Sequence, residues 1–314
     1  MWGLASAKWA GFEKGVNGTD SWPDGGYSEV VKNLVADFES LGGHLQLSQP
    51  VVSLTDSPSS KTVTLNTLTD SFTSKYVIST IPLSVLQKTP PTFSPPLSST
   101  LESAISRTLV GNLEKIVLTY SSAWWPQSSQ TQSYLLLPLS TASHPPSLSA
   151  TAPPPNSLIE LFERTSIPMI NFNSTLSSSP HPTLLAYIGA SSARHLSSYP
   201  SEEIVSTFHL YLSRRFSSSQ ASPPIASHVT SWSSDPFSLG ATSTPSTLTQ
   251  SENGEWSTPL DFLVLGRSEW EGRLGFAGEH TVLDNHGSVA GALESGIREG
   301  ERVGLRLEKD ERQY

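Results

Sequence analysis

The sequence has no cysteine among its 314 residues. That excludes disulfides, a catalytic thiol and cysteine-ligated metal, and it leaves the redox compartment undetermined. Basic residues are few: 19 Lys and Arg stand against 28 Asp and Glu, for a formal charge of -9. This balance argues against a nucleic-acid or anionic-membrane surface and is compatible with a cationic ligand. No apolar run is long enough to span a bilayer. The first nine residues lack the charged start and long apolar stretch of a signal peptide. The expectation is a cytoplasmic protein with neither membrane nor nucleic acid as partner. The eight histidines show no HExxH or similar ligand spacing, so no metal is expected. A Gly-x-Ser-x-Gly nucleophile elbow is absent. No two glycines stand two positions apart, so a Gly-x-Gly-x-x-Gly dinucleotide fingerprint is absent too.

What is present is a chain with 36% hydrophobic residues, enough for one large or two medium domains. Val30, Leu34 and Phe38 recur every fourth residue beside Val31 and Val35, which predicts an amphipathic helix. Ser28 is placed to cap its start, and Gly42-Gly43 to stop it. Strands are predicted at His44–Ser48, Val51–Thr55, Lys61–Leu65 and Tyr76–Thr80, the last closed by Ile81-Pro82. Leu113 to Tyr120 alternates, with Leu113, Lys115, Val117 and Thr119 on one face and Glu114, Ile116, Leu118 and Tyr120 on the other. Further strands are predicted at Tyr134–Leu139 and Leu184–Ala190, and a helix at Ser201–Phe216. Residues 127–157 are dominated by serine, proline, threonine and alanine, and read as a surface insertion around one strand. Residues 217–225 and 239–258 read as loops. The pattern is mixed α and β, one domain interrupted by another.

The C-terminal stretch carries the strongest signal. Leu274–Ala277 suits a short buried strand, and Gly278 allows a close turn. Glu279 then falls just past the strand's carboxyl end, where open α/β sheets bind ligands. Ser288-Val289 opens a helix whose first turn has unpaired N–H groups and a partial positive charge. Ala292, Gly296 and Gly300 recur every fourth residue and predict a flat ridge that packs closely on a neighbour. On spacing alone, a plain strand–loop–helix packed through small residues is the better reading. Lys115, on spacing alone, is a surface lysine on a half-buried strand.

Gly278-Glu279-His280-Thr281, the run from Gly287 to Ala292, Glu294-Ser295-Gly296 and Arg298-Glu299 together resemble the C-terminal FAD signature of the flavin-containing amine oxidases. The likeness is nearest to the fungal polyamine and spermine oxidases. Other segments agree in the family's order. Gly25-Gly26-Tyr27 resembles its glycine-glycine-tyrosine segment, and Leu47–Val51 the strand whose valine backbone contacts adenine. Tyr76–Leu86 resembles the strand–turn passing the nucleotide. Trp232–Phe237 with Gly240–Ser243 resembles the tryptophan segment beside the flavin. The resemblance touches nearly the whole chain, most specifically at the C-terminus and least between 127 and 230.

The resemblance implies an α/β, mixed α+β fold: an incomplete FAD-binding Rossmann-like domain interrupted by a substrate domain with a mixed β-sheet and flanking helices. Residues 1–26 would be the tail of a first substrate-domain excursion and 27–86 part of the FAD domain. Residues 87–258 would form the substrate domain with its Ser/Pro-rich insertions, and 259–314 the C-terminal FAD part. The implied chemistry is hydride transfer from an amine, expected to be a polyamine, to flavin N5. Imine hydrolysis follows, and O2 reoxidation gives H2O2. Lys115 is implied to reach N5 through a water, Val51 to meet adenine, and Trp232 to pack on the isoalloxazine ring. Glu279 is implied to take a ribityl hydroxyl, with Ser288 and Val289 at the pyrimidine edge. Two positions depart from the family. Asn285-His286 replaces an aromatic–proline pair, and Thr242 stands where a tyrosine is common. The segment that grips the FAD pyrophosphate is not in this sequence, so a partial chain is expected. The alternative expectation is a catalytically inactive remnant that binds a ligand or partner.

Overall fold

A computed structural model describes residues 26–126, 131–139, 155–174, 179–218, 221–245, 250 and 254–312. The expected excursion tail, Gly26 aside, lies outside the described residues, as does most of the 127–157 insertion. In chain order the elements are α1 (Tyr27–Ser40), β1 (Val51–Ser57), β2 (Thr62–Thr67), β3 (Ser71–Ser74), β4 (Val77–Ser79), α2 (Leu83–Lys88), β5 (Thr92–Ser94), α3 (Ser99–Arg107), β6 (Leu109–Val110), β7 (Leu113–Thr119), β8 (Ser133–Leu136), α4 (Leu158–Arg164), β9 (Ile167–Asn171), β10 (Thr183–Gly189), α5 (Ala190–Leu196), α6 (Ser201–Arg215), β11 (Ala226–Val229), β12 (Ser243–Thr244), α7 (Asp261–Leu265), β13 (Leu274–Phe276) and α8 (Val289–Glu311). The class is mixed α/β, as the sequence predicts.

The described residues fall into two compact units. One comprises 82–85 and 108–245. Its centre is a five-stranded sheet in the order β11-β7-β10-β9-β8, antiparallel throughout. β7 and β10 run in register from Leu113↔Gly189 to Thr119↔Thr183. The alternation expected in β7 is there: Glu114, Ile116 and Leu118 are fully buried, and the intervening residues are half-exposed. An antiparallel sheet can bury one face and leave the other wet, and period-2 patterning follows from that. The buried face meets Leu161 and Phe162 of α4 and Ile204, Phe208 and Leu212 of α6. Phe162 and Phe208 pack with ring centroids 4.9 Å apart. Each such side chain contributes about 1.5–3 kcal/mol by leaving water.

The other unit comprises 26–81, 86–107, 250 and 254–312. It holds a four-stranded sheet, β3-β2-β1-β5, with β1 antiparallel to β2 and parallel to β5. A separate parallel pair joins β13 to β4, from Leu274↔Val77 to Phe276↔Ser79. β13 is buried at every residue, which is why it reads as a short apolar run without alternation. Arg273, just before β13, makes a two-pronged ion pair with Asp56 of β1 at 2.7 and 2.8 Å.

Several expectations are corrected. α1 begins at Tyr27 with Gly26 at φ 71°, so the glycine turns the chain into the helix and Ser28 lies inside the first turn without capping. Residues 44–48 form no strand; Ser48 takes φ 58°, which breaks an extended run. The apolar stripe of α1 is exposed: Leu34 and Phe38 keep half their surface, and no residue of the helix is buried. On α8 the packed ridge is Gly291, Ser295 and Glu299, one register before the predicted one. Gly296 and Gly300 face open space among the described residues. α3, α4 and α7 were not expected from periodicity, because each buries only two or three apolar side chains.

Candidate functional site

The C-terminal junction is built by backbone constraint. β13 extends one bond beyond its last residue, as the Ala277 N–H donates to Ser79 O at 3.0 Å. Gly278 then takes φ 137°, ψ 166°, and a Cβ there would lie 2.7 Å from His280 Cε1. A side chain at 278 is therefore disfavoured both by conformation and by space. The Gly278 N–H donates to Ser295 Oγ at 2.8 Å, and that hydroxyl donates to Ala292 O at 2.6 Å. Helix α8 thus holds the turn by a side chain of its own buried ridge.

Glu279 opens a single 3-10 turn, Glu279–Thr281, and is half-buried. Its Oε2 accepts the Gly287 N–H at 2.7 Å. Ser288 is the N-cap of α8: its Oγ accepts the Gly291 N–H at 3.1 Å and donates to Asn285 O at 2.5 Å. Val289 begins the helix with its side chain half exposed. Glu279, Ser288 and Val289 thus share one loop–helix junction. A carboxylate, an acceptor by its chemistry, sits at one end, and a helix start favourable to negative charge at the other.

A second layer of charge fixes this junction. Glu299 is 2% exposed and bonds Arg298 Nε at 3.1 Å and Arg302 Nε at 2.7 Å. Both arginines also donate to carbonyls: Arg298 to Thr281 O and Phe276 O at 2.8 and 2.6 Å, and Arg302 Nη1 to Gly272 O at 2.7 Å. His280 is 3% exposed. Burial, and then the nearby Arg298 charge, push its pKa down to about 4. It is neutral near pH 7 and is no proton carrier there. The His286 ring stacks on Phe262 at 4.6 Å, and Thr242 is used through its backbone oxygen, which accepts the Gly111 N–H at 2.9 Å.

The other unit carries Lys115 and Trp232. Lys115 lies on the half-exposed face of β7, with Nζ 5.8 Å from the centroid of the Tyr187 ring. Tyr187 is its cross-strand partner on β10. Burial raises the Tyr187 phenol pKa, so the ring stays neutral beneath the ammonium. Trp232 is 45% exposed on the turn after β11. Lys115 and that turn are joined: the Lys115 N–H donates to Thr230 Oγ1 at 2.7 Å, and the Thr230 N–H donates to Lys115 O at 3.0 Å. Val51 begins β1 opposite Thr67, in the four-stranded sheet rather than the β13–β4 pair.

Four residues were missed from sequence. Glu114 occupies a core position of β7, and its signal was an acid in an otherwise apolar row. Ser295 and Glu299 sit on the buried side of α8, where polarity suggests the opposite face. Tyr187 is found only through strand pairing.

A family model described as flavin containing amine oxidoreductase matches residues 7–304. Lysine-specific histone demethylase 1 homolog 3 of Arabidopsis thaliana is 28% identical over 298 residues, covering 93% of this chain and 16% of that protein. Polyamine oxidase 5 of Oryza sativa subsp. japonica is 26% identical over 276 residues, covering 87% and 46%. The chain thus spans less than half the length of these curated relatives. Among solved structures, cyclohexylamine oxidase from Brevibacterium oxydans IH-35A matches with a TM-score of 0.63 at 18% identity, covering 90% of this chain and 53% of that one. That likeness shows the fold. With the family match running over almost the whole sequence, the chain belongs to the flavin-containing amine oxidoreductase family.

Proposed function

We propose that this chain carries the flavin-handling and amine-handling residues of an FAD-dependent amine oxidase acting on polyamines. FAD is the family's cofactor. The donor set at the end of β13 fits one end of it, and this observation carries the reading. Glu279 is a half-buried carboxylate fixed by the Gly287 amide, next to the capped start of α8. When bound, FAD accepts hydride at N5 from the carbon beside the amine nitrogen, and O2 restores it with release of H2O2.

The chain's own residues prepare that chemistry. Glu279 accepts a ribityl hydroxyl, and the backbone N–H groups at Ser288 and Val289 favour negative charge at the pyrimidine edge. Lys115 supplies a positive charge and hydrogen-bond donor where the hydride arrives and where charge develops on oxygen. Trp232 offers an aromatic face to the ring system, and the Val51 backbone meets adenine. The formal charge of -9 suits a cationic polyamine. A second reading, removal of methyl groups from a lysine side chain, is favoured by the relatives named as lysine-specific histone demethylases.

The test is to load the purified chain with FAD, remove free flavin and record the visible spectrum under anaerobic spermine. Bleaching by spermine, with peroxide on readmission of air, is the expected result. Bleaching only by a methyl-lysine peptide selects the second reading, and an unbleached or flavin-free protein refutes both.

A further inference from the structure

The inward row of β7 reads Glu114, Ile116, Leu118, each with no exposed surface. A carboxylate in such a row is costly to bury unless its oxygens are hydrogen-bonded. Among the described residues its partners are three neutral donors and no cation. Oε1 accepts the Ser233 N–H at 2.8 Å. Oε2 accepts the Trp232 N–H at 3.1 Å and the Thr230 hydroxyl at 2.7 Å. An apolar residue would fill the row as well, so packing gives no reason for an acid here.

The turn gives the reason. The N–H groups of Ser234 and Asp235 both donate to Ser231 O, at 3.0 and 2.9 Å. This is a single helical turn, and its leading N–H groups, those of Trp232 and Ser233, have no partner within the turn. Glu114 takes both. Its third bond goes to Thr230, whose oxygen accepts the Lys115 N–H. A second tie comes from Ser233 Oγ, which donates to Asn112 Oδ1 at 3.3 Å. One buried carboxylate therefore connects the backbone of Lys115 with the backbone of Trp232, two residues that stand 117 positions apart in the sequence.

We propose that Glu114 is a positioning residue: it sets the Trp232 turn against the Lys115 strand, so that indole and ammonium keep one arrangement. This rests on the reading above that both side chains serve the flavin. A glutamine at 114 has one carbonyl oxygen, so it must turn its NH2 toward the Trp232 or the Ser233 N–H. A donor then faces a donor, and the charge-assisted bonds are lost.

The experiment uses the full chain and three variants: Glu114→Gln, Glu114→Asp, and Leu118→Ala as a core control from the same row. Without flavin, amide hydrogen exchange is read at Trp232 and Ser233. Glu114→Gln is expected to speed both at least tenfold while β9 and β10 stay protected. Leu118→Ala is expected to show no such local excess. With FAD bound, Glu114→Gln is expected to shift the flavin absorption band as Trp232→Phe does. It should also lower kcat with KM within twofold, and Glu114→Asp should restore part of each. Unchanged exchange at the two amides overturns the proposal. So does faster exchange with the flavin band and kcat of the parent, when Trp232→Phe alters the band and Lys115→Met alters kcat. If those two variants, or the parent with FAD, show no flavin effect at all, the flavin reading itself fails and the positioning role falls with it.

Discussion

Acid should destabilise this fold through His280, and the size of the effect follows from its burial. The ring is 3% exposed, and burial, with the Arg298 charge as the smaller cause, lowers its pKa to about 4 from an ordinary value of 6.5. The folded state therefore resists a proton that the unfolded chain accepts. Where the folded pKa is depressed, the contribution is fully present above pH 6.5 and is lost as pH falls toward 4. Each pH unit in that window removes about 1.4 kcal/mol, about 3 kcal/mol in all, and below pH 4 no more is lost from this group. That is a large fraction of the 5–15 kcal/mol typical of a folded domain. Urea unfolding of the parent and of His280→Gln, repeated from pH 7.5 to 4, isolates the term, because glutamine takes no proton. The stability difference between the two should be flat above pH 7 and should move in the variant's favour by about 3 kcal/mol at pH 4. A difference that stays constant across the range would show that the ring is hydrated or protonated in the fold, and the argument would be wrong.

Other perturbations have equally specific outcomes. Arg273→Met strands Asp56, whose side chain is 3% exposed. It should cost about 3–5 kcal/mol in denaturant unfolding, and a loss under 1 kcal/mol would show that water reaches the carboxylate. Gly278→Ala meets both a φ of 137° and the His280 ring. It should cost about 1–3 kcal/mol and weaken flavin retention on a desalting column. Gly296→Ala, on an exposed helical position with nothing within 4 Å among the described residues, should instead raise stability by about 0.5–1 kcal/mol. Lys115→Met should leave the bound flavin's oxidised spectrum intact and slow its reduction or reoxidation about 100-fold in stopped flow, and unchanged rates would remove Lys115 from the chemistry.

The parts legible in the sequence are those where one rule acts alone. β7 and α6 were readable because a single buried face imposes its period on the residues. α1 shows the limit of that rule: Val30, Leu34 and Phe38 announce a stripe, but periodicity does not tell whether the stripe is covered, and here it is exposed. α8 fails differently. Small residues occur at Ala292, Gly296 and Gly300 and also at Gly291 and Ser295, so the pattern admits two registers. The buried one contains Glu299, which a hydropathy argument rejects, and it is buried because Arg298 and Arg302 share its charge. At the candidate site, the place of Glu279 past β13 follows from local strand and turn signals. The pairing of Lys115 with the Trp232 turn does not, since it depends on strand order and on one carboxylate in a core row.

Burial also separates the carboxylates. Glu114, Asp261 and Glu299 are each at or below 2% exposure, and each is engaged by several donors. Glu114 holds the Trp232 turn, Asp261 takes a two-pronged bond from Arg107 and the Thr258 N–H, and Glu299 carries two arginines. Groups so buried and so fully bonded stabilise local geometry, and their removal strands partners in the interior. Glu279 differs in burial. It is half-buried and stands beyond a strand end, on a turn whose shape is already fixed by Gly278, Ser295 and Arg298. Replacing it by glutamine leaves the contacts of Gly278, Ser295 and Arg298 in place and keeps an oxygen to accept the Gly287 N–H. Glu279→Gln is therefore expected to change unfolding stability by less than about 1 kcal/mol, and to weaken FAD retention several-fold in equilibrium dialysis. A variant that loses stability but keeps its flavin would place Glu279 with the three structural acids and end its role as a ligand group.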